Sequence, residues 1–389
     1  MKTDTSRRNF LAAGLALPAA GLALTSSPTP SALAPQQAAP TPGKVTYRVL
    51  GKTGLKVSTC GYGCMITSDP TVITRAVDMG INYIDTSRNY QSGQNERMVG
   101  AALGAKRKDI FISTKCDEKT GEGILREIDT SLKELNTDHV DVWLLHGKDT
   151  AALITDDLVE AQRKAKQAGK VRFIGMSTHA LPAVVDRVIE AKLEVVQAQY
   201  NFTSAAEWGP ALDKLQKAGI GVVAMKVMAK DGRGRGRGAD AAPPPPARPA
   251  NFAPAALKWA IRNPVIATTV PSMTDIDQLE QNFAVMAQPF TDADQKILTA
   301  RLEEITPYFC RMCGTCAGQC PQGLPVADMV RFVMYADGYG QFPLGRENFQ
   351  RMSAEHQAVK CGDCPTCVVK CAHGVTVAER MMRAQELFA

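Results

Sequence analysis

From residue 45 to about 300, short apolar or β-branched runs alternate with amphipathic stretches. The runs are INYID (81–85), IFIST (110–114), VDVWLLH (140–146), VRFIGMS (171–177), LEVVQAQY (193–200), IGVVAMK (220–226) and VIATTVP (265–271), and residues 57–64 supply an eighth. Between them, stretches such as GILREIDTSLKELN, DDLVEAQRKAKQAG and LPAVVDRVIEAK repeat their apolar residues at helical spacing. Continuous apolar strands alternating with helices predict a parallel sheet covered by helices. Eight such units predict an α/β fold of the (β/α)8 barrel type, over 45–303. An open doubly wound sheet is the alternative, but no Gly-x-Gly-x-x-Gly follows the first strand. Beyond the barrel, PVADMVRFVMYADGYG returns to a helical rhythm, so residues 304–389 are expected to form a smaller, mostly helical domain.

One connection stands apart. AKDGRGRGRGADAAPPPPARPANF (229–252) can neither pack nor pair, which predicts a mobile loop. It follows a barrel strand, and such loops lie on the catalytic face, so a flap over the site is expected. Gly-Arg repeats can bind RNA, but three arginines and a formal net charge of +6 are too little to imply a nucleic-acid partner.

The N-terminus reads Ser6-Arg7-Arg8-Asn9-Phe10-Leu11, a twin-arginine pattern with a modest apolar run behind it. That run is shorter than the about 20 residues a membrane span needs. It predicts a signal peptide over 1–34, a disordered linker over 35–44, export to the periplasm or beyond, and no stable membrane span.

Candidate chemistry gathers at strand ends. IDTSRNY supplies Asp85 and Tyr90, STKC supplies Lys115 and LLHG supplies His146. Strand C-termini converge on one face of a barrel, so these four side chains can meet. A Lys ammonium paired with a carboxylate is expected to lower the tyrosine pKa towards neutrality, making Tyr90 a proton donor to a carbonyl oxygen that His146 orients.

YRVLGKTGLKVSTCGYG, INYIDTSRNYQSGQNERMVGAAL, STK, LLHG, GMSTH and QAQYNF together resemble the aldo/keto reductase family over residues 45–300. The resemblance implies NAD(P)H-dependent reduction of a small carbonyl, or oxidation of an alcohol. It carries over Tyr90 as proton donor with Asp85, Lys115 and His146, and places Ser177 and Gln199 near the nicotinamide carboxamide with Tyr200 stacked on its ring. Ser272 and Asn282 are implied on the adenosine side. Gln278 stands where the family often has an arginine for the 2′-phosphate, with Asp275 nearby, so both NADP and NAD remain open.

Eight of the 11 cysteines lie between 310 and 371, in two runs of the form Cys-x2-Cys-x2-Cys-x3-Cys. This is the bacterial ferredoxin pattern, in which the fourth cysteine ligates the other cluster. It predicts two [4Fe–4S] clusters, one on Cys310, Cys313, Cys316 and Cys371, the other on Cys361, Cys364, Cys367 and Cys320. Disulfides and structural zinc are the alternatives. Barrels of this family with a twin-arginine signal and a ferredoxin-like tail resemble a bacterial subgroup. Clusters are assembled in the reducing cytoplasm, and the twin-arginine route moves folded protein, so the two signals agree. A hydride delivers two electrons and a cluster takes one, so an external redox partner near Cys310–Cys371 is expected. The alternative is an electron-transfer subunit or binding protein whose barrel turns over no carbonyl.

Overall fold

The computed structural model describes residues 44–204, 208–229, 249 and 251–389. The expected signal peptide, nearly all of the linker and most of the 229–252 loop lie outside the described residues.

An antiparallel hairpin, β1 (Tyr47–Val49) and β2 (Lys56–Ser58), precedes the barrel. Eight strands follow: β3 (Tyr62–Gly63), β4 (Tyr83–Asp85), β5 (Phe111–Cys116), β6 (Val140–Leu145), β7 (Val171–Thr178), β8 (Val195–Gln199), β9 (Gly221–Met225) and β10 (Ile266–Thr269). Each pairs in parallel with the next. The two ends of the sheet then meet. Gly61 N donates to Thr269 O (2.8 Å), Gly63 N to Pro271 O (2.9 Å) and Thr269 N to Thr59 O (3.1 Å), so the ring is nearly closed.

Helices α1 (Pro70–Asp78), α2 (Gln94–Leu103), α3 (Gly121–Leu135), α4 (Asp156–Gln167), α5 (Leu181–Glu190), α6 (Trp208–Ala218), α7 (Phe252–Ile261) and α8 (Ile276–Ala284) succeed the strands, and α9 (Asp292–Ile305) packs on α7. Caps set several of their starts: Thr120 Oγ1 accepts from Gly123 N, and Thr155 Oγ1 from Leu158 N. Period-two alternation sorts each strand between two cores. Ile84, Ile112, Trp143, Ile174 and Val196 face the helices. Tyr83, Val142, Leu144, Val195 and Val223 fill the barrel, joined by Leu50, Leu55 and Val57 from the hairpin segment.

The expected strand over 57–64 is therefore split. Val57 and Ser58 pair with β1, whereas only Tyr62–Gly63 joins the barrel. Both pieces bury apolar residues, and hydrophobicity alone cannot tell a hairpin arm from a barrel strand.

The tail comprises α10 (Val326–Val333), which runs into one π-helical turn (Met334–Gly338), then α11 (Phe342–Gln350), α12 (Ala354–Ala358) and α13 (Val377–Phe388). Leu324, Met329, Val333, Phe349, Met381 and Phe388 form its core, and Cys310, Cys316, Cys320, Cys361, Cys367 and Cys371 pack against it.

Gly175 of β7 tests the barrel's tightness. A Cβ there would lie 2.0 Å from Val195 O on the neighbouring strand. Overpacking of this kind costs about 1–3 kcal/mol or more, so Gly175→Ala should lower the midpoint of chemical denaturation. An unchanged midpoint would show that β7 and β8 have room to part.

Candidate active site

Asp85 ends β4, Lys115 is the penultimate residue of β5 and His146 immediately follows β6. Tyr90 opens the short turn after β4, in which Gln91 and Ser92 adopt left-handed φ values of 51° and 55°. Gln91 Nε2 holds this turn by donating to Thr67 O. The four side chains converge as expected. Lys115 Nζ lies 2.8 Å from each Asp85 oxygen and 2.7 Å from Thr86 O, and Gln197 Nε2 donates to Asp85 Oδ2 (3.0 Å). The Lys115 ammonium is 5.1 Å from the centre of the Tyr90 ring. The His146 ring meets Tyr90 edge-on at 6.1 Å, and its Nδ1 is 3.3 Å from Ser87 Oγ.

The expected lowering of the Tyr90 pKa is not what the surroundings produce. Burial pushes the phenol well above its ordinary value, and the charge of Asp85 and the neighbouring Tyr335 push the same way. The bidentate Asp85 carboxylate offsets the Lys115 charge that the sequence argument relied on. Tyr90 is thus held as the protonated, donating form. Burial, aided by Lys115, lowers His146 to about 3, so its imidazole is neutral in ordinary buffers.

The nucleotide-side candidates fare unevenly. Ser177 is buried, and its Oγ accepts from Gly147 N (2.9 Å). Ser272 lines a cleft of about 60 Å³ together with Asp85, Tyr90 and Gln197. Gln199 is buried but is not part of that wall. Tyr200 packs among Trp259 (4.9 Å) and Trp208 (6.5 Å) of α7 and α6, and its hydroxyl accepts from Asn263 Nδ2 (3.0 Å). Strand alternation turns it towards the helices, so it is not brought to the mouth. Gln197 was missed, although it shares a strand face with Gln199. Its Oε1 and Asn282 Oδ1 are buried with no partner among the described residues, so both can accept from a polar ligand. A nicotinamide cofactor fits that donor need. For a 2′-phosphate the stretch between Ser272 and Asn282 offers no basic residue of its own, Asp275 caps α8 by accepting from Gln278 N (2.8 Å), and Arg75 of α1 reaches that helix at Glu280 (3.3 Å).

The tail builds the other wall of the site, which no barrel motif announced. Arg331 of α10 pairs with Asp149, and Arg351 pairs with Asp117. Lys226, at the end of β9, lies 4.9 Å from the Tyr335 ring centre and 4.4 Å from that of Tyr339. A cavity of about 230 Å³ in front of Tyr90 and His146 is completed by Arg331, Tyr335 and Arg351. Tyr339 narrows the smaller cleft.

The tail cysteines group in two fours. Burial pushes the Cys310 thiol up to about 12. Met312 N–H partly offsets this, and Cys316, Cys371 and Cys313 are near enough to add to it. Burial likewise pushes Cys361 up to about 11, with Cys320, Cys364 and Cys367 adding to it. Those last three and Cys361 line one cavity of about 250 Å³ with apolar walls from Leu324 and Val369. Met312 N donates to Cys310 Sγ (3.4 Å) and His373 N to Cys371 Sγ (3.3 Å). All eleven cysteines are free thiols. Among the described residues no three His, Cys, Asp or Glu side chains close on a single ion. Zinc needs sulfurs at about 2.3 Å from one centre, whereas a four-iron cube spreads its four thiolates around a larger body. Either centre would draw on the same two groups of four thiols.

Fold and mouth together define a barrel oxidoreductase with a Tyr-Lys-Asp-His site. A model of the Aldo/keto reductase family matches residues 68–303, and the chain belongs to that family. It is 28% identical to L-galactose dehydrogenase of Arabidopsis thaliana over 284 residues, covering 63% of this chain and 89% of that protein. It is 26% identical to the uncharacterized oxidoreductase YqkF of Bacillus subtilis over 299 residues, covering 66% and 96%. The holo form of an aldo-keto reductase from Bacillus halodurans superposes with a TM-score of 0.56 at 26% identity, covering 66% of this chain and 96% of that one. The tail lies outside the matched range.

The Arg331–Asp149 pair tests whether the tail is fastened to the mouth. Burial pushes the Asp149 carboxyl up, but His179 and Arg331 outweigh that and hold it well below the usual range. A depressed carboxyl stabilises above its ordinary pKa and loses that contribution only as pH falls through the lowered value. Breaking a buried pair costs about 3–5 kcal/mol, a cost that Asp328, 2.9 Å from Arg331, reduces. Asp149→Asn should therefore speed amide exchange across α10 at neutral pH. Exchange equal to wild type would show that this pair does not hold the roof.

Proposed function

We propose that the barrel interconverts a small carbonyl compound and its alcohol, with Tyr90 as the proton donor. The observation that carries this is the placement of a buried, protonated Tyr90 between the Lys115 ammonium and a neutral His146, facing the 230 Å³ cavity. In the reducing direction the substrate oxygen sits against the Tyr90 hydroxyl, and His146 orients it by hydrogen bonding. Tyr90 releases its proton as charge develops on that oxygen, and the Lys115 ammonium stabilises the phenolate left behind. Asp85 keeps Lys115 in place. A bound nicotinamide supplies the hydride chemistry. Gln197, Ser177, Ser272 and Asn282 are the residues to hold it, as NAD or NADP.

The tail is read as a ferredoxin-like domain for two [4Fe–4S] clusters, on Cys310, Cys313, Cys316 and Cys371 and on Cys361, Cys364, Cys367 and Cys320. Bound clusters carry single electrons, a task that calls for an external redox partner near these runs. The twin-arginine pattern at Arg7 and Arg8 supports reading the folded protein as exported. Tyr339 in the nucleotide cleft favours a second reading, an electron-transfer subunit whose barrel does not turn over.

Two measurements decide. Anaerobic purification followed by iron, sulfide and nucleotide analysis should find about eight irons and eight sulfides per chain, as two clusters of the [4Fe–4S] type hold. Zinc in place of iron sinks the cluster assignment. Tyr90→Phe keeps the ring and removes the proton, so carbonyl reduction should fall about 10²–10⁴-fold with little change in substrate binding. Unchanged turnover removes Tyr90 from the mechanism.

A further inference from the structure

The cavity in front of Tyr90 is charged, and its charges are unevenly matched. Arg331 is paired with Asp149 and Asp328, and Arg351 with Asp117 and Glu347. Asp117 also accepts from Asn89 Nδ2 (2.9 Å), so both of its oxygens are engaged. Lys148 is different. It lines the same cavity, is only 6% exposed, and among the described residues its ammonium has no hydrogen bond or ion pair. Its backbone is fixed: Gly147 turns the chain at φ 63°, and Lys148 N donates to Ser177 O (2.8 Å).

His179 lines the same cavity and is 5% exposed. Its Nε2 is buried with no partner among the described residues. Arg331 Nη1 lies 3.2 Å from Nδ1, closer than Asp149 Oδ2 at 3.4 Å. Nδ1 is thus engaged by Arg331 and Asp149, which leaves Nε2 as the ring nitrogen available to a ligand. The cavity wall thus holds an ammonium and a ring nitrogen that, among the described residues, no protein group engages. Burial lowers the pKa of both groups, the signature of charge kept from water without enough compensation. An anion entering the cavity meets both groups, and an ammonium with few protein partners gains from having it there.

We propose that Lys148 and His179 form an oxyanion subsite of the substrate pocket, so that the substrate is a small carbonyl compound or alcohol carrying a carboxylate or phosphate. This rests on the Tyr90 reading above, because the subsite and Tyr90 share one cavity. The volume limits the size: a cavity of about 150 Å³ holds benzene, so 230 Å³ admits a short chain with one charged end.

Matched aldehydes test it. Succinic semialdehyde is compared with butanal for a carboxylate, and glycolaldehyde phosphate with glycolaldehyde for a phosphate. Wild-type protein should favour the charged member of at least one pair in kcat/KM, and which pair identifies the anion. A charge-assisted hydrogen bond corresponds to about ten- to a hundredfold, so Lys148→Met should reduce that preference by at least tenfold, and Lys148→Arg should restore part of it. A preference for the neutral aldehydes in wild type, or an undiminished preference in Lys148→Met, overturns the proposal. Should Lys148→Met not fold, the wild-type preference and its loss in His179→Phe decide instead. Calorimetric titration of 4-hydroxybutyrate and inorganic phosphate separates the two readings. Binding that Lys148→Met weakens, without any carbonyl turnover, leaves the subsite standing and sinks only the Tyr90 chemistry. Turnover with anion binding indifferent to Lys148 sinks only the subsite.

Discussion

The buried ion pair of Lys115 and Asp85 is the constraint around which the mouth is arranged. Neither group reaches water, so each must be satisfied by protein. Asp85 takes two contacts from Lys115 and one from Gln197, and Lys115 completes its set on Thr86 O. Those bonds join the ends of β4, β5 and β8. Leaving either charge alone would cost about 3–5 kcal/mol, so the strand ends are held in one register. The same pair sets the character of Tyr90. A lone lysine would pull the phenol towards ionisation, but a lysine neutralised by its carboxylate leaves burial to dominate, and the hydroxyl keeps its proton until charge develops on a substrate oxygen.

A second buried cluster performs the matching task for the tail. Asp149 accepts from Thr178 Oγ1 (3.0 Å), from His179 N (2.6 Å) and from Arg331. One carboxylate thereby fixes the loop after β7 and the first helix of the tail. The π-helical turn that follows carries Tyr335 and Tyr339 to Lys226. Such turns are rare and concentrate at functional sites because they re-aim side chains without ending the helix. The pocket's selectivity is therefore shared between barrel and tail, although the barrel alone carries the proposed proton chemistry.

Much of this was legible in the sequence, and what was missed shares a physical cause. Strands and helices of the barrel announce themselves because burial on one or both faces imposes a period, and Asp85, Tyr90, Lys115 and His146 could be placed together because parallel strands end on one face. Contacts whose partner is distant in sequence carry no period. Val57 looked like part of a barrel strand because a plug and a strand bury the same kinds of residue. Gln199 was preferred to Gln197 although both face inward, since depth along a strand is set by stagger. Tyr200 was set beside the cofactor, yet it sits one step out of phase and faces Trp208 and Trp259. Arg331, Tyr335 and Lys148 were not singled out, because only tertiary packing brings α10 over the loops of β6 and β7. The Tyr90 pKa was misjudged for the same reason: the sequence shows that a lysine is near, but not that its charge is already balanced.

The placement of the tail also bears on how the proposed redox centres relate to one another. Cys310 packs beside Met334, Phe309 and Ile305 in a small apolar cluster, and Met334 opens the turn that bears Tyr335. The group containing Cys361 instead lines a separate cavity against α13, with Ala378 and Met381 in its wall. The two cysteine groups are therefore not equivalent with respect to the mouth. Packing therefore makes the Cys310 group the one whose surroundings are coupled to whatever occupies the cavity lined by Tyr335.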